Sequence, residues 1–237
     1  MTEEKTNKLF EHRDAFDYSG TSGLFLESVR EMFRFHSEHS VIFNGIQHQY
    51  GFSVNDINSE DDILHIPAIF VTAFKERKLL SLPESEIVKT FTSSGTTGSK
   101  SQINWDKASM ERQGFMRTSI VESYGLADYD QLVNNLVFSY APEVSGTRGA
   151  AHAHNAYAQF AKENETFFAI HADKYGNPDF SVDEGIAKLE KFAASGLPLR
   201  ITGFPAFGYM TLTELDKRGV HFTFPKESVL FSGGGWK

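Results

Sequence analysis

Between Thr90 and Ser101 nearly every residue is serine, threonine or glycine, and Lys100 stands near the end of the run. A loop of this composition turns backbone N–H groups and hydroxyls toward one point and forms a concavity for an anion. Gly95 and Gly98 allow positive φ and close backbone approach, and Lys100 adds a mobile positive charge. The ligand this chemistry suits is a polyphosphate. Two other readings are weaker. A flexible linker has no use for a lysine and rarely lies between two strand patterns. A P-loop requires G-x-x-x-x-G-K-[ST], whereas Ser99 separates Gly98 from Lys100 and position 93 is serine.

The second stretch with chemical potential is Phe231-Ser232-Gly233-Gly234-Gly235. It follows a strand pattern, and ligands of open α/β sheets sit beyond the carboxyl ends of the strands. Glycines there let a flat ring lie against the backbone. A flexible tail is the competing reading, which the position at the mouth of a sheet disfavours. Two histidine pairs invite a metal reading and do not sustain it. His36 and His39 end a helical pattern with no acidic partner in phase and suit its C-terminal dipole. His152 and His154 diverge at i,i+2 on a helix. No G-x-S-x-G occurs, so a serine hydrolase is poorly supported.

Around these stretches the pattern predicts alternating elements. Ile87, Val88 and Phe91 lead a strand into the loop, and Gln102–Trp105 lead one out. A helix with Leu24, Phe25, Val29, Met32 and Phe33 on one side follows Thr21-Ser22. Between them an acidic loop runs from Asp56 to Asp62, with Ser59 or Asp61 able to cap a turn. Pro67 is placed to start a helix that carries Phe70 and Phe74 against the core. Asp106 caps a helix ending near Gly125. Leu132–Tyr140 reads as a buried strand, Gly146–Phe160 as loop then helix, and Thr166–His171 as a strand. Ser181-Val182-Asp183-Glu184 is a capping box opening a helix that Gly196 and Pro198 close. Leu199–Thr202, Pro205–Leu215 and Ser228–Phe231 read as strand, helix and strand. From the loop onward this is the order of βαβ crossovers: an α/β fold with a largely parallel sheet and flanking helices.

Composition bounds the answer. With 237 residues the chain suffices for one large α/β domain, and no repeat or linker divides it. Apolar residues make 40% and charged residues 23%, ordinary for a soluble globular protein. Twenty-two phenylalanines imply an aromatic-rich core able to line an apolar pocket. A formal charge of −8 disfavours nucleic acid and anionic membranes as partners. Cysteine is absent, which excludes disulfides, thiolate metal sites and a cysteine nucleophile in this stretch. The N-terminus lacks a signal-peptide core, and Ile66–Phe74 is about half a membrane span. A cytoplasmic protein without membrane span is the expectation.

Thr92-Ser93-Ser94-Gly95-Thr96-Thr97-Gly98-Ser99-Lys100 resembles the phosphate loop of adenylate-forming enzymes, [ST]-S-G-[ST]-[ST]-G-x-[PS]-K, with one position fewer before the lysine. Gly233-Gly234-Gly235-Trp236-Lys237, with Ile66-Pro67 and Phe74-Lys75 upstream, resembles the acyl-protein synthetase (LuxE-type) branch. The resemblance covers residues 60–237; residues 1–60 are a helical lead-in without a motif. It implies ATP and Mg2+, with Thr92, Ser93, Ser94, Gly95, Thr96, Thr97 and Gly98 gripping phosphates and Lys100 adding charge. It implies adenine against Gly233, Gly234 and Gly235, and activation of a carboxylic acid, fatty by this branch, for a thiol of an acyl reductase system. Tyr140, His154, Phe204 and Phe207 are candidates for the acyl pocket. On this resemblance residues 1–237 form one incomplete N-terminal adenylation domain. The Mg2+ ligands, the lid with its lysine and the acyl-accepting cysteine lie beyond Lys237, and the chain alone is expected to be inactive. A phenylacetate-type or acyl-CoA ligase and a non-catalytic nucleotide-binding subunit stay open beside this reading.

Overall fold

The computed structural model describes residues 3–93, 100–147 and 149–232, without the side chains of Ala150 and Ser232. The chain forms two compact units, Met1–Tyr124 and Gly125–Lys237.

The first unit is mainly helical. It comprises α1 (Glu4–Glu11), α2 (Tyr18–His39), α3 (Val41–Tyr50), a one-turn α4 (Ala73–Glu76), the strands β1 (Lys89–Thr92) and β2 (Gln102–Trp105), and α5 (Lys107–Ser123). Helix α2 starts before Thr21: Asp17 caps it, accepting from the Gly20 N–H at 2.9 Å. Ser40 then ends α2 and caps α3 through the Phe43 N–H. Helix α1 is polar and is fixed from outside. The Glu31 carboxylate accepts from both N–H and hydroxyl of Thr6 at 2.8 Å, and these bonds hold its carboxyl below the usual range despite partial burial. Arg112 of α5 reaches Asn7 and Glu3.

Two sequence expectations fail here for physical reasons. In the acidic stretch the capping group is Asp62, not Ser59 or Asp61; it accepts from the N–H groups of Asn58 and Ser59. No helix starts at Pro67. Ile66, the residue before the proline, is extended (ψ 122°), as proline enforces on its predecessor. Leu64, Phe70 and Val71 are all exposed, so a helix there would have no face to bury.

The second unit is an α/β sandwich. Its elements are β3 (Asp128–Tyr140), α6 (Pro142–Ser145), α7 (Gly149–Asn155), a 3-10 turn (Ala156–Phe160), β4 (Ala161–Ala172), β5 (Pro178–Phe180), α8 (Val182–Ala194), β6 (Leu199–Gly203), α9 (Pro205–Arg218) and β7 (Val229–Ser232). The strands order as β5-β4-β3-β6-β7. All pairings are parallel except β4 with β5. One face of β3 carries Leu136 and Phe138 into a core with Ala169 of β4, Ile186, Leu189 and Phe192 of α8, and Leu215 of α9. Alternation sends Val133, Asn135, Val137 and Ser139 to the other face. The capping box of α8 is half built. Ser181 Oγ accepts from the Glu184 N–H at 3.2 Å, but the Glu184 carboxylate lies 2.8 Å from His171 Nε2 instead of returning to the cap.

Gly203 ends β6 where β3 comes closest. Its φ is +127°, and a Cβ built on it would lie 2.3 Å from the Phe138 carbonyl oxygen. Gly196 also has positive φ (+68°) but faces open space. Gly203→Ala should therefore cost at least the ~1–3 kcal/mol of a strained backbone position. Gly196→Ala should cost only about 1–2 kcal/mol. Urea unfolding of both variants checks the contrast; equal losses would mean the Phe138–Gly203 approach is not held as described.

Candidate functional site

The serine- and threonine-rich loop is carried by a strand pair separate from the parallel sheet. β1 and β2 are antiparallel, with Lys89 opposite Trp105 and Thr92 opposite Gln102. Phe91 packs edge-on against Trp105 at 4.9 Å, and Thr90 Oγ1 donates to Asn104 Oδ1 at 2.7 Å. Beyond the last ladder pair, the Ser93 N–H donates to the Ser101 carbonyl at 3.1 Å, and the Ser101 N–H donates to Ser93 Oγ at 3.0 Å. The loop is thus pinched at its neck by two reciprocal serine bonds, with Lys100 exposed just inside. Of the phosphate-binding candidates, Thr92 and Ser93 stand in this neck with Lys100. Ser94, Gly95, Thr96, Thr97 and Gly98 lie outside the described residues, as do the adenine candidates Gly233, Gly234 and Gly235.

The four acyl-pocket candidates lie together in the second unit, at the carboxyl ends of the strands. Tyr140 ends β3, Phe204 follows β6, Phe207 lies in the first turn of α9, and His154 comes from α7. Phe204 is the hub: its ring is 4.7 Å from His154 and 6.2 Å from both Tyr140 and Phe207. The Phe204 N–H donates to the Phe138 carbonyl at 2.9 Å, which fixes the hub to the end of β3. Phe180, which the sequence did not single out, closes on Phe207 at 4.6 Å.

Polar groups without partners collect on the sheet face where α7 packs. Ser139 Oγ, Thr202 Oγ1 and His154 Nδ1 are all buried and make no hydrogen bond. The register places Thr202 beside Val137, so Thr202 and Ser139 share a face of adjacent strands. Burial pushes the His154 ring below the ordinary histidine pKa, so it is neutral at pH 7. Alternation along β3 and β6 could have revealed Ser139 and Thr202 from sequence, once strand bounds were known.

From Phe204 an apolar cleft of about 710 Å3 runs between α9 and the β6–β7 edge. Gly208, Leu212 and Leu215 form its helical wall, Ile201 and Leu230 its sheet wall, and Phe222 closes the far side. Elsewhere, His36 Nδ1 contacts Ser81 Oγ and His39 Nδ1 donates to the Phe35 carbonyl, both at 2.7 Å. Among the described residues no three His, Asp or Glu side chains converge on a point that could hold a metal ion.

His154 gives a pH dependence with a definite sign. The unfolded chain takes up this proton near pH 6.5, and the folded chain resists it until lower pH. Its contribution to stability is thus present above pH 6.5 and is lost as pH falls below it. His36, also lowered by burial, acts in the same direction. His154→Phe should reduce the loss of unfolding free energy between pH 7 and pH 5, leaving the His36 share. An unchanged pH profile in that variant would mean His154 is hydrated.

A family model described as "Acyl-protein synthetase, LuxE" matches residues 4–237. Similar curated proteins are two long-chain-fatty-acid--luciferin-component ligases. That of Vibrio harveyi is 25% identical over 178 residues, covering 75% of this chain and 44% of the relative. That of Aliivibrio fischeri is 25% identical over 222 residues, covering 88% and 52%. The chain spans about half the length of the curated relatives it matches. Among solved structures, an open conformation of 2-hydroxyisobutyryl-CoA ligase in complex with 2-HIB-AMP and CoA superposes with a TM-score of 0.67 at 13% identity, over 94% of this chain and 49% of that one. The same ligase in its thioesterification state gives 0.61 at 14% identity, over 88% and 42%. At these identities the likeness is one of fold, and it agrees with the mixed α/β architecture read from the sequence. The family match, by contrast, runs nearly end to end: the chain belongs to the acyl-protein synthetase, LuxE, family.

Proposed function

We propose that this chain supplies the phosphate grip and the acid pocket of an ATP-dependent ligase that converts a long-chain fatty acid to acyl-AMP for transfer to a protein thiol. The observation that carries the reading is the serine-pinched loop with Lys100 at its neck, in a chain of this family. The names of the curated relatives support a long-chain acid.

In this reaction a carboxylate oxygen attacks the α-phosphorus of ATP, the bond to the bridging oxygen breaks, and pyrophosphate leaves with that electron pair. The protein's task is positioning and neutralisation of charge on phosphate oxygens. Thr92, Ser93, Ser94, Thr96 and Thr97 hydroxyls and the N–H groups around Gly95 and Gly98 bind phosphate, and Lys100 adds a charge-assisted bond. Gly233, Gly234 and Gly235 carry the adenine. Mg2+ would supply further neutralisation of phosphate charge in such chemistry.

The acid lies with its carboxylate by Tyr140, Phe204 and His154 and its tail in the cleft along α9. Fourteen helical residues span about 21 Å, the length scale of an extended long-chain acyl group. Phe207 packs behind Phe204 and holds the entrance in shape.

Lys100→Ala should weaken ATP binding by about tenfold or more, the loss of a bond of about 1.5–3 kcal/mol, with the melting temperature nearly unchanged because the side chain is exposed. Unaltered affinity by calorimetry would remove Lys100 from the site. Fatty-acid affinity should rise about fourfold per added methylene, the equivalent of ~0.8 kcal/mol each, until the cleft is full. Leu212→Asp should flatten that dependence without affecting ATP. An affinity independent of chain length in the native protein would place the tail elsewhere.

A further inference from the structure

Helix α9 carries one residue whose smallness the backbone does not explain. Gly208 closes the first turn of the helix, and its φ lies outside the left-handed region that calls for glycine. Glycine within a helix is less favourable than alanine, so its presence there has a cost. Packing does not require it either. A Cβ built on Gly208 would stand 3.6 and 3.7 Å from Cδ2 and Cε2 of the Phe138 ring, which is ordinary van der Waals contact. Outside its own stretch of helix no other described atom comes within 4 Å of that point. Gly203 makes the contrast, because a Cβ there would run into the Phe138 carbonyl oxygen at 2.3 Å. What the missing side chain at 208 leaves is open space, and that space belongs to the apolar cleft, which Gly208 and Phe138 both line.

We propose that Gly208 is the specificity-determining residue that admits a long acyl chain to the cleft, and that a bulky side chain in its place would confine the protein to short acids. The inference rests on the reading that puts the acyl tail along α9. Gly208, Leu212 and Leu215 share one face of the helix, and Gly208 is the member nearest Phe204. A tail that starts at the aromatic cluster reaches it after one helical turn, about 6 Å along the axis. There it passes between the bare helix backbone and the Phe138 ring. Leucines further along widen the contact with the tail, but at this point a side chain would stand in its way. The width of the passage therefore decides how many methylenes are buried beyond it, each of them the equivalent of about fourfold in affinity.

The test compares the affinities of the native, Gly208→Ala and Gly208→Leu chains for butanoate, by NMR titration, and for dodecanoate, by calorimetry. The native chain should prefer dodecanoate by at least about 1,000-fold. Gly208→Leu should lower that ratio by at least about 100-fold, and Gly208→Ala by about threefold or more. The melting temperature of Gly208→Ala should hold or rise, because alanine fits the gap and favours the helix. A chain-length preference that falls while stability does not is the mark of a specificity role, since general damage to the site would weaken both acids alike. A native preference that persists unchanged in Gly208→Leu would overturn the role of Gly208 and leave the tail in the cleft. A native ratio near one would overturn the placement of the tail, and this inference with it. Should Gly208→Leu not fold, the ratio in Gly208→Ala decides: a fall supports the proposal and an unchanged ratio overturns it.

Discussion

Much of the second unit depends on one close approach, between the end of β3 and the end of β6. Strand β3 lies between two parallel neighbours, and parallel strands need crossover connections that cover both faces of the sheet. That explains why Val133 to Ser139 are all buried, apolar and polar alike. At the carboxyl end the two chains come so near that only a residue without a side chain fits at position 203. The next residue, Phe204, is tied back to Phe138 and emerges between α7 and α9. The aromatic cluster and the head of the cleft are therefore consequences of backbone geometry, and the side chains follow from it.

The sheet-end site and the loop differ in their electrostatics. The loop carries a lysine and a dense set of hydroxyls on a partly buried strand pair. The sheet-end cluster brings together rings, two unpaired hydroxyls and an imidazole that burial keeps neutral. On the proposed reading this is a useful asymmetry. Phosphate oxygens gain charge and need a cation, whereas a carboxylate that must act as a nucleophile is better held by neutral groups, which orient it without quenching it. A buried cation beside the acid would lower its energy before reaction and leave less to gain in the transition state.

What could be read from the sequence followed from how local each signal was. The loop, β3, β6, α8 and α9 carry their evidence within a window of about ten residues, in periodicity, caps and glycines. The gathering of Tyr140, His154, Phe204 and Phe207 was also legible, because parallel strands present their carboxyl ends on one edge. Helix α1 was not, since its polar surface is fixed by Glu31 and Arg112 from far along the chain. Strand β5 was missed because it is three residues long and starts with a proline, tolerated only at a sheet edge. Pro67 misled in the opposite direction: it suits a helix start, but the flanking apolar residues find nothing to pack against.

The cleft was the least legible feature, because half of its wall has no periodic signature. Val220 to Phe224 is irregular chain that packs onto α9 and the core through Val220, Phe222 and Phe224. Segments of this kind are placed by what they cover, and the sequence does not say what that is. The cleft also keeps apolar side chains in contact with water: Leu212 is 64% exposed and Leu230 is 67% exposed. Single exposed leucines are common, but a contiguous apolar cleft is a standing cost to the folded unit. A tail that enters removes apolar surface from water on both partners at about 25 cal/mol per Å2, and it binds only the folded form. On the proposed reading, the same surface that weakens the empty unit is the source of its affinity for acid. Selection for a tighter core at Leu212 or Leu230 would therefore trade binding for stability.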